Sequence, residues 1–234
     1  LFTSENIIPQ TLKNMADKRN TVSHFIDPQS VSPGEMKGFR YIEHRENVSL
    51  ALAVCQHLEV DRSTALKGMY QAIPDAGALM VFRVRAFGKD IVFYNAFAAN
   101  DPDSTFLVWK KIRDEIGMEG TRIVLLNTRQ DRLYRAQQLA EMVALSLEKE
   151  IDYLMLIGQS TDVVENMAVQ YGIPGKKLVS VGWTTPEKVY EKLLSVTDKT
   201  STIVAIGNMG GMGAETVDFF KNRRDGKLDW INYT

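Results

Sequence analysis

From residue 122 onward, short runs rich in β-branched and aliphatic residues alternate with longer amphipathic stretches, and this alternation restricts the chain to few folds. Parallel strands need long crossover connections, usually helices, and those helices bury the strands on both faces. Strands are expected at residues 91–97, 122–127, 153–158, 178–181 and 202–207, with helices at 103–116, 131–148, 161–171, 186–196 and 214–223. The pattern predicts an α/β, Rossmann-like domain, a mostly parallel sheet with helices on both faces. Thr184, with Pro186 and Glu187 after it, reads as a capping box for the helix at 186, and Ser160 or Thr161 as the cap of the helix at 161.

The first 73 residues follow a different rhythm: a strand at Leu1, a helix over 6–18, a strand over 21–26, a Pro/Gly-bearing loop DPQSVSPGEMKG, then helices over 46–58 and 62–70. Turn chemistry in AIPDAG, residues 72–77, sets the expected domain boundary, with residues 1–73 before it and 74–234 after it. The leading part is a partial α/β segment, too short for a comfortable core of its own. The chain opens on Leu1 and not on methionine, so an upstream extension is expected.

Of the 234 residues 44% are hydrophobic, enough to bury a substantial core without disulfides or metal. The 28 basic side chains balance 29 acidic ones with no long basic block, which argues against nucleic acid as a partner. One cysteine, Cys55, excludes an internal disulfide framework and points to a reducing, cytoplasmic setting; it reads as a core residue. His24, His44 and His57 have no metal-ligand spacing, so no metal site is expected within the chain.

In open α/β sheets, ligands bind beyond the carboxyl ends of the strands, and those positions are conspicuously polar here. NAFAANDPDST, residues 95–105, offers amides and carboxylates for a ribose or a metal-bound phosphate, although Asp101, Asp103 and Ser104 equally suit a helix cap. NTRQDRLYRAQQ, residues 127–138, places Arg129, Arg132 and Arg135 three apart before and within the first turn of a helix. Cations there oppose the helix dipole, and a bound phosphate or carboxylate, or pairing with Asp131, Asp101 or Asp103, offsets that cost. GNMGGMGAE, residues 207–215, is a glycine-rich turn that brings backbone N–H groups close to a ligand or simply makes a tight strand-to-helix connection. Trp183, at a strand end, either faces a ligand or plugs the sheet edge, whereas Trp109 reads as packing.

These motifs, with IGQST at 157–161, HRENVSLALAV at 44–54 and the DRSTALKGM to PDAGA passage, resemble the carboxyl-terminal part of the poly-γ-glutamate synthase ATP-dependent amide ligases of the CapB/PgsB type, relatives of the Mur ligases. The resemblance covers nearly the whole chain. It implies that residues 1–73 end a central ATPase domain and supply linker helices, and that residues 74–234 form the Rossmann-like carboxyl-terminal domain that closes over it. It implies ATP and Mg2+ as cofactors, glutamate and the growing poly-γ-glutamate chain as substrates, and γ-glutamyl amide bonds made through an acyl phosphate. Small membrane subunits of a capsule synthase complex, an upstream membrane-associated segment at the cytoplasmic face and a homo-oligomer also belong to that implication.

By the same resemblance Asn95, Asn100 and Asp101 fall in the nucleotide loop, and Arg129, Asp131, Arg132 and Arg135, with Gly207 and Asn208, in the substrate and phosphate site. The sequence departs from the Mur pattern at Asn95 and Ala99, where an aspartate and a histidine are usual, and in PDAGALM, where Ala78 or a neighbour stands in place of the usual arginine. It contains no GxxGK[ST], so no catalytic residue is assigned within the chain, and the chain alone is expected to be inactive. Two other readings fit the residues: a non-catalytic Rossmann-like module that docks an acidic partner through the arginine helix, and a Mur-type ligase for another acidic amino acid.

Overall fold

The computed structural model describes residues 1–39, 43–72 and 79–225, and the chain divides into two compact units, Leu1–Pro74 and Asp75–Thr234. Most of the expected boundary turn, and Ala78, lie outside the described residues. Among the described residues no helix is long and apolar enough to cross a membrane.

In the first unit, β1 (Phe2–Thr3) pairs in parallel with β2 (His24–Phe25) around α1 (Pro9–Lys18). Both strands are shorter than expected, and α1 starts at Pro9, whose missing N–H costs nothing in a first turn. The expected loop contains α2 (Pro33–Met36), closed by a capping box in which Ser32 and Glu35 exchange hydrogen bonds. The sequence Ser-Pro-Gly-Glu carries that signal, masked by its Pro and Gly. The helices α3 (Arg45–His57) and α4 (Arg62–Gln71) follow, and Val48, Leu52, Ala65 and Leu66 bury against Val31 and Phe39. Cys55 is half-buried against this cluster.

In the second unit a six-stranded sheet runs in the order β3-β4-β8-β5-β6-β7. The strands and helices alternate as β3 (Met80–Ala86), β4 (Lys89–Asn95), α5 (Pro102–Lys111), β5 (Thr121–Thr128), α6 (Leu133–Met142), β6 (Tyr153–Gly158), α7 (Thr161–Gln170), β7 (Leu178–Gly182), α8 (Pro186–Val196), β8 (Thr200–Gly207) and α9 (Met212–Arg223). All neighbours pair in parallel except β3, which is antiparallel to β4. The α/β, mostly parallel architecture is therefore as the sequence implies, with one added edge strand. That strand was missed because its turn, Phe87-Gly88, is not a strong hairpin dipeptide, yet both residues take the positive φ (53° and 72°) that a two-residue hairpin turn demands.

Several boundaries differ from expectation. The strand at 91–97 ends at Asn95, α9 begins at Met212, and α6 begins at Leu133 because Gln130–Arg132 form a separate 3-10 turn. The helices expected to reach 116 and 148 finish in π-helical turns, Ile112–Ile116 and Val143–Leu147. Neither expected hydroxyl cap on α7 or α8 forms. Ser160 takes φ 56° to turn the chain off β6, and Thr185, not Thr184, precedes α8 without a capping bond from its side chain.

Burial explains the apolar runs. Ile123 to Leu126 and Leu154 to Ile157 are all fully buried, as central parallel strands require. Ile123, Leu125, Met155 and Ile157 face α8 and α9 through Val189, Leu193, Met212, Val217 and Phe220. The alternate residues face α5, α6 and α7. Phe93 stacks on Phe220 at 4.1 Å between centroids, tying β4 to α9. Trp109 is buried and donates its indole N–H to Glu150 at 2.7 Å, a packing role.

Candidate functional site

Topology creates the site. The helices after β4 and β5 pack on one face of the sheet and the helix after β8, which lies between those strands, packs on the other. The chain therefore leaves β8 in the direction opposite to its two neighbours, which makes the carboxyl edge on either flank of β8 the place where open α/β sheets bind ligands.

On the β5 flank, Asn127 is 1% exposed and spans the crevice. Its Nδ2 donates to the Asn208 carbonyl at 2.5 Å and to the Gly210 carbonyl at 3.0 Å, and its own carbonyl accepts from the Asn208 N–H at 3.3 Å. Two carbonyl acceptors fix which end of the amide is nitrogen. The approach is so close that a Cβ at Gly207, where φ is 98°, would lie 2.6 Å from the Asn127 carbonyl oxygen. A Cβ at Gly213, in the first turn of α9, would lie 2.9 Å from Asn127 Nδ2 and would overlap the Asn208 carbonyl. Asn127 Oδ1 and Asn208 Nδ2 are buried without a hydrogen-bond partner among the described residues.

Beyond Asn127 lies a cleft of about 520 Å³ lined by Arg129, Gln130, Asp131, Gln159, Trp183 and Gly211. Arg129 immediately precedes the 3-10 turn, and Asp131 within that turn reaches back to it. Arg129 Nε donates to Asp131 Oδ1 at 2.9 Å and Nη2 to Oδ2 at 2.8 Å. Gln159 Oε1, from the end of β6, accepts from the Gln130 N–H at 3.2 Å and pins the same turn. Trp183 is 59% exposed at the end of β7, placed so that a Cβ at Gly211 would touch the indole ring at 3.4 Å.

A guanidinium has five N–H donors. Asp131 occupies the Nε side of Arg129, and Nη1 has no hydrogen-bond partner among the described residues. A Cβ at Gly210 would lie 2.6 Å from Nη1, so only a glycine there lets the guanidinium sit this close to the β8 to α9 loop. Arg129 is thus held from one side and offers a bidentate edge on the other. A surface ion pair of this kind contributes little stability, and its value here is orientation.

The remaining candidates fall elsewhere. Arg132 stands 3.8 Å from Asp131, and Arg135 is half-buried on α6 with no ion pair among the described residues. Neither lines the cleft. Gly207 and Asn208 build the wall through their backbone. On the β4 flank, Asn95 is fully buried, its Oδ1 accepting from the Phe97 N–H at 3.4 Å. Asn100 is half-buried, and Asp101 is exposed and caps α5 by accepting from the Ser104 N–H at 2.9 Å. That backbone donor holds the Asp101 carboxyl below the usual carboxylate range. Sequence reasoning missed Asn127 and Gln159 as individual residues, though both stand in the motifs that suggested the site. In the first unit, Phe2 stacks on His24 at 4.6 Å, and His57 lies 5.5 Å from each ring, an aromatic cluster the sequence spacing did not suggest.

The fold is a Rossmann-like one shared with solved Mur-ligase and folylpolyglutamate-synthase structures. A bifunctional folylpolyglutamate synthase/dihydrofolate synthase from Yersinia pestis, solved with AMPPNP and a Mn ion, matches with a TM-score of 0.62 at 12% identity, over 93% of this chain and 52% of that one. MurF from Acinetobacter baumannii matches with a TM-score of 0.53 at 16% identity, over 77% of this chain and 38% of its own. Sequence narrows the class. The model of the poly-gamma-glutamate synthase CapB C-terminal domain matches residues 81–223, and the capsule biosynthesis protein CapB of Bacillus anthracis is 32% identical over 229 residues. The chain belongs to the poly-gamma-glutamate synthase CapB C-terminal domain family. The match covers 97% of this chain, which spans only 48% of that relative's length.

Proposed function

We propose that this chain is the carboxyl-terminal part of an ATP-dependent ligase that forms γ-glutamyl amide bonds in poly-γ-glutamate, and that the cleft between β5 and β8 holds a carboxylate of glutamate or of the chain end. The observation that carries the reading is the oriented guanidinium of Arg129, which lines the cleft with its Nη1 beside Gly210 and without an acceptor among the described residues. Planar, bidentate recognition of a carboxylate is what arginine does better than lysine. Family membership supports the substrate class, and residues 1–73 are proposed as the end of an ATPase domain with its linker helices.

The fit to ATP is partial. Asn100, half-buried, and Asp101, exposed, are the proposed acceptors for ribose hydroxyls. Asn95 contributes by shaping the turn beneath them. No residue run in the sequence forms a P-loop, and among the described residues no three His, Cys, Asp or Glu side chains are placed to hold a metal. The triphosphate and its magnesium would therefore be held by residues outside this set. When bound, ATP supplies the phosphoryl group that activates a carboxylate toward an amine. This chain's own part is to orient the carboxylate-bearing substrate, with domain closure completing the site.

Titration of the 15N-labelled chain with glutamate tests the reading. Arg129 Nε and Trp183 Nε1 signals are expected to shift together and saturate. Saturation seen elsewhere in the spectrum, with both of these signals unmoved, would remove the cleft from the proposal.

A further inference from the structure

Asn127 lines no part of the cleft, yet the wall formed by the β8 to α9 loop depends on it. Its amide donates to both Asn208 and Gly210, so one side chain at the end of β5 holds the loop that leaves β8. That loop does two things for the cleft. Gly210 packs beside Arg129 Nη1, and Gly211 carries the Trp183 ring. Met209 and Met212 anchor the loop in the core at its base, but the other hydrogen bond across the crevice, from the Asn208 N–H to the Asn127 carbonyl, is long at 3.3 Å, and Asn208 Nδ2 has no partner among the described residues.

We infer that Asn127 is a positioning residue of the ligand cleft, a latch that keeps the β8 to α9 loop in the conformation in which Arg129 and Trp183 together meet the ligand. This rests on the carboxylate reading of the cleft. The latch acts before the ligand arrives. Where the binding-competent loop is only partly populated, apparent affinity falls by that fraction, while the bound complex, once formed, is unchanged. Losing the latch therefore raises the half-saturating glutamate concentration and leaves turnover at saturation nearly intact.

Replacement of Asn127 by aspartate keeps the shape but sets a carboxylate against two carbonyl oxygens, and Asn127→Ser keeps one donor. In the gene product that carries this chain, Asn127→Asp is expected to raise half-saturation by glutamate about tenfold or more with kcat within about twofold. Asn127→Ser is expected to fall between it and the unaltered protein. Hydrogen exchange at the amides of residues 210–214 should quicken in both variants and slow again on adding glutamate. A lowered Tm with unchanged half-saturation in Asn127→Ser would overturn the latch, and would do so even if Asn127→Asp did not fold. Arg129→Ala separates the two layers of the argument. If it raises half-saturation while the Asn127 variants do not, only the latch fails; if it too changes nothing, the carboxylate reading fails and the latch with it.

Discussion

The two flanks of β8 carry the same sequence signature and use it differently. On the β4 side the polar residues serve one another: Phe97 N–H to Asn95, Ser104 N–H to Asp101, Thr105 Oγ1 to the Ala99 carbonyl at 3.0 Å. On the β5 side the arginine is held through one edge and has no acceptor at Nη1 among the described residues, beside an exposed indole and two buried amide atoms, Asn127 Oδ1 and Asn208 Nδ2, that also lack partners there. Polarity at a strand end therefore does not by itself mark a carboxylate site. What distinguishes the flanks is whether hydrogen-bonding capacity remains after the local turn has been built.

That contrast breaks most sharply at Gly213. A methyl there meets the Asn208 carbonyl and Asn127 Nδ2, neither of which yields easily, so Gly213→Ala should destabilise the second unit by about 1–3 kcal/mol. Thermal unfolding would show this as a drop of roughly 2–4 °C per kcal/mol for a domain of this size. Gly210→Ala is the opposite kind of change. Its methyl meets only the far end of Arg129, so Tm should hold, while half-saturation by glutamate rises about tenfold, or about 1.4 kcal/mol.

On the β4 flank, Asp101→Ala removes the α5 cap and should cost about 1 kcal/mol, with no change in glutamate half-saturation. Because the folded pKa of Asp101 is lowered, this stability is present above the ordinary carboxylate pKa and is lost as pH falls through the lowered value. Stability curves of Asp101→Ala and the unaltered chain should therefore converge in acid. If Asp101→Ala altered glutamate affinity as strongly as Gly210→Ala, the distinction between the flanks would collapse.

The smallest expected effect is a control far from either flank. The Arg62 side chain hydrogen-bonds Glu35 at 2.7 Å and is the largest cause of lowering its pKa from 4.5 to about 2. The contribution of Glu35 is fully present above 4.5 and is lost as pH falls towards 2, so Arg62→Ala should flatten the acid unfolding of the first unit in that window without touching the cleft.

Much of the second unit was legible because buried parallel strands announce themselves as apolar runs and their helices as amphipathic stretches. The edge hairpin was not, since Phe87-Gly88 gives a weak turn signal and an edge strand is only partly buried. The crevice was legible as a set of strand ends, and Arg129 with Asp131 as members of it. Asn127 was not, because its role depends on β8 lying beside β5, an adjacency between residues 81 positions apart that no local pattern encodes. Arg132 and Arg135 looked equivalent to Arg129 in sequence, and only the 3-10 turn at Gln130–Arg132 and the start of α6 separate them. Ser160 shows the same limit on a smaller scale: its composition suits a cap, but the turn off β6 claims its backbone first.

The central claim is that Arg129 receives a carboxylate in the β5 to β8 cleft. Glutamate-dependent ATP turnover of the gene product carrying this chain, compared between the unaltered protein and Arg129→Ala at saturating ATP, tests it most directly. A rise of about tenfold or more in the half-saturating glutamate concentration, with half-saturation by ATP unchanged, is the predicted result, since a charge-assisted bidentate contact is worth about 1.5–3 kcal/mol. Equal glutamate dependence in the two proteins would contradict the account.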